Sequence, residues 1–103
     1  MGQFEVFENP SETSRGIFPY VVVLQSHLLA ASHTTVVAPM MVQDGRSAFT
    51  EISVAVPFAD AEHIVLIGEL GAVEARLLRK PVGELQAYED QIRRALDRLF
   101  TGF

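Results

Sequence analysis

Three histidines, His27, His33 and His63, are the side chains of this 103-residue sequence best suited to metal binding or to proton transfer near neutral pH. No two of them have the spacing that one helix or one hairpin gives a pair of metal ligands, so they read as structural or surface groups and no metal is expected. Asp60 and Glu62 flank Ala61 beside His63. In a pocket that carboxylate–imidazole grouping could serve general acid–base catalysis; in a polar turn between strands it is solvated charge. Ser26–His27 and Ser32–His33 are neighbours in sequence, but adjacency along the chain does not aim an imidazole at a hydroxyl. There is no G-x-S-x-G elbow, no phosphate-binding glycine loop and no H-E-x-x-H, and with no cysteine there is no thiolate. No catalytic residue and no cofactor are expected, and binding is the default function.

The charge balance narrows what could be bound. Thirteen acidic residues against eight basic ones give a net charge of −5. That opposes direct, nonspecific binding to nucleic acid, which needs clustered Lys and Arg to displace counterions from phosphates. A local basic cluster at Arg76, Arg79 and Lys80 reads as a solvated face, and Arg93, Arg94 and Arg98 are interleaved with acids.

Several short elements must position whatever the chain presents. Gln3 to Glu8 reads as a first strand with Phe4 and Val6 on one face, and Asn9 to Gly16, with Pro10, Ser11, Thr13 and Ser14, as a loop. Tyr20 to Ser26 carries the continuous run Val21, Val22, Val23 and Leu24 and reads as a strand covered on both faces. Thr34 to Val42 reads as another, with Pro39 suggesting an edge or a bulge because its nitrogen cannot join a ladder. Ile52, Val54 and Val56 alternate with Ser53 and Ala55 at strand period. His63 to Ile67 and Val73 to Leu78 complete the set, with Gly68 and Gly71 bracketing the turn between them. Near the end, Leu85, Tyr88, Ile92, Ala95, Leu96, Leu99 and Phe100 recur in steps of three and four and form one stripe on a helix. Glu89 and Asp90 stand four residues before Arg93 and Arg94, in the favourable order for helical ion pairs. Five or six strands and one terminal helix describe a small, strongly bent β barrel or sheet with the helix against it, mainly β within an α+β fold.

The length suits one domain spanning residues 1–103. A hydrophobic content of 49% is high for so small a chain, and self-association would cover the surplus, so a homodimer is expected. Its interface is expected around Leu70, Ala72 and Leu99. Glu5 and Glu8 stand in the opening segment where a signal peptide would need a basic flank and an apolar stretch, and no apolar run approaches the roughly 18 residues of a membrane span. A cytoplasmic protein is expected.

The segment Leu99-Phe100-Thr101-Gly102-Phe103 puts aromatic groups at the end of the amphipathic run. Gly102 sits where a helix would end and could take the left-handed conformation closed to most residues. Phe100 and Phe103 either cap the core or form an exposed contact surface.

Taken in order, several stretches resemble the CcdB family of toxins from type II toxin–antitoxin systems. They are Gln3-Phe4 with Val6; Val23-Leu24-Gln25-Ser26 followed by the aliphatics Leu28 and Leu29; Val36-Val37-Ala38-Pro39-Met40; and the helix Glu89 to Phe100 closing on Gly102. The resemblance spans residues 3 to 103. It implies an SH3-like small barrel of the kind CcdB and MazF toxins share, assembled as a homodimer. It also implies a non-enzymatic poison that binds the A subunit of DNA gyrase and traps the cleaved gyrase–DNA complex. A CcdA-like antitoxin with a disordered segment would neutralise it, and operator DNA would be met only through that antitoxin, in repression of the operon. By the same resemblance the gyrase-binding positions are Leu28, Leu29, Asp97, Phe100, Thr101, Gly102 and Phe103.

Three departures bear on that reading. Thr101 stands where the family pattern has tryptophan, and Asp97 where it has asparagine; Phe103 replaces an aliphatic terminus. A stacked aromatic contributes roughly 0.5–2 kcal/mol against a cation, and a carboxylate desolvated without a cation is costly. One alternative is therefore a CcdB-fold homologue that does not poison gyrase. Another is a MazF-like endoribonuclease, for which His63 with Arg76 or Arg79 would supply the acid–base and cationic groups.

Overall fold

The computed structural model describes residues 2–29, 32–44 and 52–102. The described residues form seven strands, β1 (Glu5–Glu8), β2 (Tyr20–Val23), β3 (Thr34–Val42), β4 (Ser53–Phe58), β5 (Ala61–Leu66), β6 (Gly71–Glu74) and β7 (Gly83–Glu84), followed by the helix α1 (Glu89–Thr101). All strand pairings are antiparallel, in the order β4-β5-β3-β2-β1-β7, and β6 pairs with the first half of β3.

The valine run explains why the sheet is covered on both sides. Val22 joins Val6, Ala38, Met40, Val56 and Val65 in the inner core, while Val21 and Val23 point the other way and join Phe7, Val37 and Leu78 in a smaller outer cluster. The strand ends at Val23, three residues earlier than expected, because Leu24 and Gln25 both donate to the carbonyl of Val36 and turn the chain out of register.

Pro39 is neither at an edge nor at a bulge. It pairs in register with Val21 in the middle of β3. The Val36 carbonyl faces β2, so alternation turns the odd-numbered backbone groups of β3, including the nitrogen of Pro39, to the opposite side. On that side β3 passes from its pairing with β6, which ends at Val37, to its pairing with β5, which begins at Met40. The missing N–H falls in the gap between partners.

Strand β5 starts earlier than expected, at Ala61, because Ala59 (φ 48°) and Asp60 (φ 63°) close a two-residue hairpin with the type I′ geometry that matches strand twist. The expected strand Val73 to Leu78 is a strand only to Glu74; Ala75–Leu77 form a 3-10 turn that folds Leu78 back under the outer cluster. The two-residue β7 was absent from the sequence reading.

The ends of the sheet, β4 and β7, come together without hydrogen bonding to each other. The ring of Phe58, last in β4, lies so close over Gly83 of β7 that a Cβ there would sit 2.5 Å from Phe58 Cε1. The sheet is therefore rolled into an almost closed barrel. α1 covers it: Ile92 and Ala95 are buried in the inner core, Tyr88, Leu96 and Leu99 pack against it, and Glu89 pairs with Arg93 at 2.7 Å on the outer face.

Candidate partner-binding surface

Leu28 and Leu29 stand on a single 3-10 turn, His27–Leu29, in the β2–β3 connection. Polar side chains before the turn fix it. The Ser26 hydroxyl accepts from the Leu28 N–H at 3.2 Å, and the Ser26 carbonyl accepts from Leu29 at 2.9 Å. Gln25 donates to the carbonyls of Leu29 and Thr34 and accepts from the Val36 N–H. The Gln-Ser pair is thus a brace, and what it holds out is apolar: Leu28 is 83% exposed and Leu29 58%.

The other group lies at the end of α1, which is mounted on β4 and on the 3-10 turn Ile67–Glu69. Phe100 is 70% exposed, so it does not cap the core; the buried stripe ends at Leu99. Gly102 takes φ 80°, and its N–H donates to the Arg98 carbonyl at 3.1 Å, closing the helix as its position predicts. The Thr101 hydroxyl donates back to the Asp97 carbonyl at 2.6 Å, leaving its methyl as the outward group. Asp97 is exposed and makes no ion pair among the described residues. Phe103 lies outside the described residues. The leucine turn and the helix end therefore hang from separate parts of the barrel.

His63 is 2% exposed, with Nδ1 3.1 Å from the Ala61 carbonyl, and its ring meets Tyr20 and Phe58 edge-on at centroid distances of 5.6 and 6.0 Å. Asp60 occupies the hairpin turn, and Glu62 points to the face opposite His63, as strand alternation requires. Arg76 is exposed and paired with Glu74 at 2.7 Å, and Arg79 lines a groove with Arg15 and Lys80. Among the described residues no group of three His, Asp or Glu side chains is placed to hold a metal ion. No helix among them is long and apolar enough to cross a membrane. Of the residues expected at a dimer interface, Leu70 and Leu99 are half-buried against the inner core and Ala72 is exposed on β6, whose outer edge is unpaired among the described residues.

One set of residues escaped the sequence reading. Asn9 is buried; it donates to the Ser14 hydroxyl and the Phe18 carbonyl, accepts from the Ser11 N–H, and its own carbonyl accepts from Arg15 Nε at 2.8 Å. Asn-Pro-Ser was a readable signal for such an Asx turn. Its consequence, that Arg15 is brought beside Arg79 and Lys80, was not readable from local sequence.

A small, nearly closed antiparallel barrel with a C-terminal helix packed on it is a fold shared with solved microbial proteins. An endoribonuclease from a mycobacterial species, solved in complex with its cognate antitoxin, superposes with a TM-score of 0.76 at 14% identity over 96% of this chain and 93% of that one. A second mycobacterial endoribonuclease gives 0.74 at 13% identity over 96% and 89%. The Mycobacterium tuberculosis toxin MazF-mt6 gives 0.69 at 16% identity over 79% and 84%. At such identities these likenesses establish the fold. The sequence itself is more specific: residues 3–102 match the model of the CcdB protein family, and the chain belongs to that family. None of the curated proteins matches it.

Proposed function

We propose that this chain is the toxin of a toxin–antitoxin pair and acts by binding the A subunit of DNA gyrase and trapping the cleaved gyrase–DNA complex, with a CcdA-like antitoxin as its neutraliser. The observation that carries the reading is the family match over residues 3–102. The surface supports it. Leu28, Leu29 and Phe100, the apolar members of the described positions implied by the family resemblance, are among the most exposed large apolar side chains of the molecule. Exposure of such groups on braced supports favours protein binding, because little ordering remains to oppose association. The mycobacterial neighbour solved with its cognate antitoxin supports an antitoxin partner for this barrel. A homodimer joined through the region of Leu70, Ala72 and Leu99, and repression of the operon through the antitoxin, belong to the same reading.

Calorimetric titration of the antitoxin-free protein into the dimerisation segment of the host's gyrase A subunit tests the proposal. Saturable binding, followed by stabilised gyrase-linked DNA breaks, is expected. A folded protein that neither binds nor produces breaks would refute it.

A second reading has its own observation. The Thr101 hydroxyl is occupied by the Asp97 carbonyl, and Asp97 brings an unpaired carboxylate to the same helix end. The helix end then offers neither tryptophan nor a neutral amide, and a homologue with this fold that does not poison gyrase would look the same. In that case Thr101→Trp with Asp97→Asn creates gyrase binding where none existed.

A further inference from the structure

The geometry points to a second docking site: the groove between the loop after β1 and residues 77–82 takes an extended acidic peptide of a partner protein, its carboxylates held by Arg15, Arg79 and Lys80. The groove measures about 570 Å³ and is separate from the leucine turn and from the helix end. It gathers three of the chain's eight basic residues on an otherwise acidic molecule. None of the three makes an ion pair among the described residues, whereas Arg76 next to them is paired with Glu74. Their charge is therefore uncommitted.

The site is also prepared. Arg15 is held by its Nε on the carbonyl of Asn9, which is buried and engaged in its own loop, and a guanidinium anchored through Nε keeps two terminal nitrogens with which to bind a carboxylate as a fork. Leu77 and Val82, both more than two-fifths exposed, line the same groove and give aliphatic side chains a place to lie. A free inorganic anion would use the cations and ignore that apolar lining.

Two carboxylates decide between polymers. Glu8 and Glu12 also line the groove. A nucleic-acid strand bears a charge at every phosphate and would be repelled at that end. It also needs exposed aromatic faces for its bases, and the only ring lining the groove, Phe7, is 3% exposed. A peptide can set its acids against Arg79 and Lys80 and neutral residues against Glu8 and Glu12.

The test uses the purified full-length chain and a fluorescein-labelled peptide of alternating Asp or Glu with Leu, read by anisotropy. Controls are its Asn/Gln counterpart and an oligouridine RNA, with inorganic phosphate as competitor. Saturable binding of the acidic peptide is expected, weakened about fivefold by Arg79→Ala with Lys80→Ala, as two exposed charges allow. Binding should tighten with Glu8→Gln and Glu12→Gln, and circular dichroism should show all variants folded. Equal binding of the neutral peptide, no effect of the Arg79 and Lys80 changes, displacement of the peptide by phosphate at equimolar amounts, or tighter binding of the RNA would each overturn the inference.

Discussion

Phe100→Ala separates a contact residue from a core residue within one helix. A phenylalanine side chain can bury about 200 Å², and Phe100 is 70% exposed. A partner could therefore cover about 140 Å² of it, which at about 25 cal/mol per Å² is an upper limit of about 3.5 kcal/mol of binding. Interface aromatics at the centre of a contact commonly cost about 2 kcal/mol or more on truncation. Phe100→Ala should thus weaken binding to the gyrase A dimerisation segment by roughly 30- to 400-fold. The portion already covered, about 60 Å², limits the loss of folding stability to about 1.5 kcal/mol. Ile92→Ala, two turns earlier and fully buried, should do the reverse, costing about 2–5 kcal/mol of stability. Urea unfolding of both variants at two protein concentrations, alongside calorimetric titration, gives the four numbers needed. If Phe100→Ala costs as much stability as Ile92→Ala, its ring is covered in solution and the contact-surface reading fails; unchanged gyrase binding would remove Phe100 from the interface.

Gly83→Ala should lower stability by about 1–3 kcal/mol in urea unfolding, because its Cβ meets Phe58 at 2.5 Å where the barrel edges come together; no loss would mean that Phe58 moves aside freely. Gly102→Ala should cost about 1 kcal/mol, since φ 80° is disfavoured with a Cβ, even though no atom lies within 4 Å of it; an unchanged midpoint would show that the helix end frays without loss. Ala59→Asn with Asp60→Gly should raise stability by up to about 1 kcal/mol, as both positions hold positive φ in a type I′ hairpin, and a lower midpoint would contradict the turn assignment. Leu28→Asp should leave the unfolding midpoint within about 0.5 kcal/mol of the parent, because the side chain is 83% exposed, while reducing gyrase binding; loss of fold would show the leucine turn to be structural.

What could be read from the sequence was what local pattern controls. The valine run announced a strand with two covered faces because every residue in it is apolar, and Gly102 announced a helix end because little else tolerates its conformation. The stripe is covered from Leu85 to Leu99, although Leu85 and Tyr88 precede the helix, which begins at Glu89 after a 3-10 turn, and it fails at Phe100. The period continues there, but the barrel surface that the stripe faces has ended. Pro39 misled for a related reason: the rule that excludes proline from central strands assumes a continuous neighbour, and here the neighbour changes from β6 to β5 at the residue that lacks an N–H.

The same distinction governs the functional surfaces. Leu28, Leu29 and Phe100 are apolar in sequence, and nothing in hydrophobicity alone tells an exposed leucine from a buried one. Their exposure follows from supports that are polar and remote, the Gln25 side chain tying the leucine turn to β3 and the termination of the helix for Phe100. Arg15 meets Arg79 and Lys80 only because the sheet curls until β7 lies beside β1 and Asn9 ties the intervening loop in place. Glu8 and Glu12 line the same groove but form no ion pair with these cations among the described residues. An acidic chain laid across the groove would set its carboxylates against Arg15, Arg79 and Lys80 and cover the exposed Leu77 and Val82 at once.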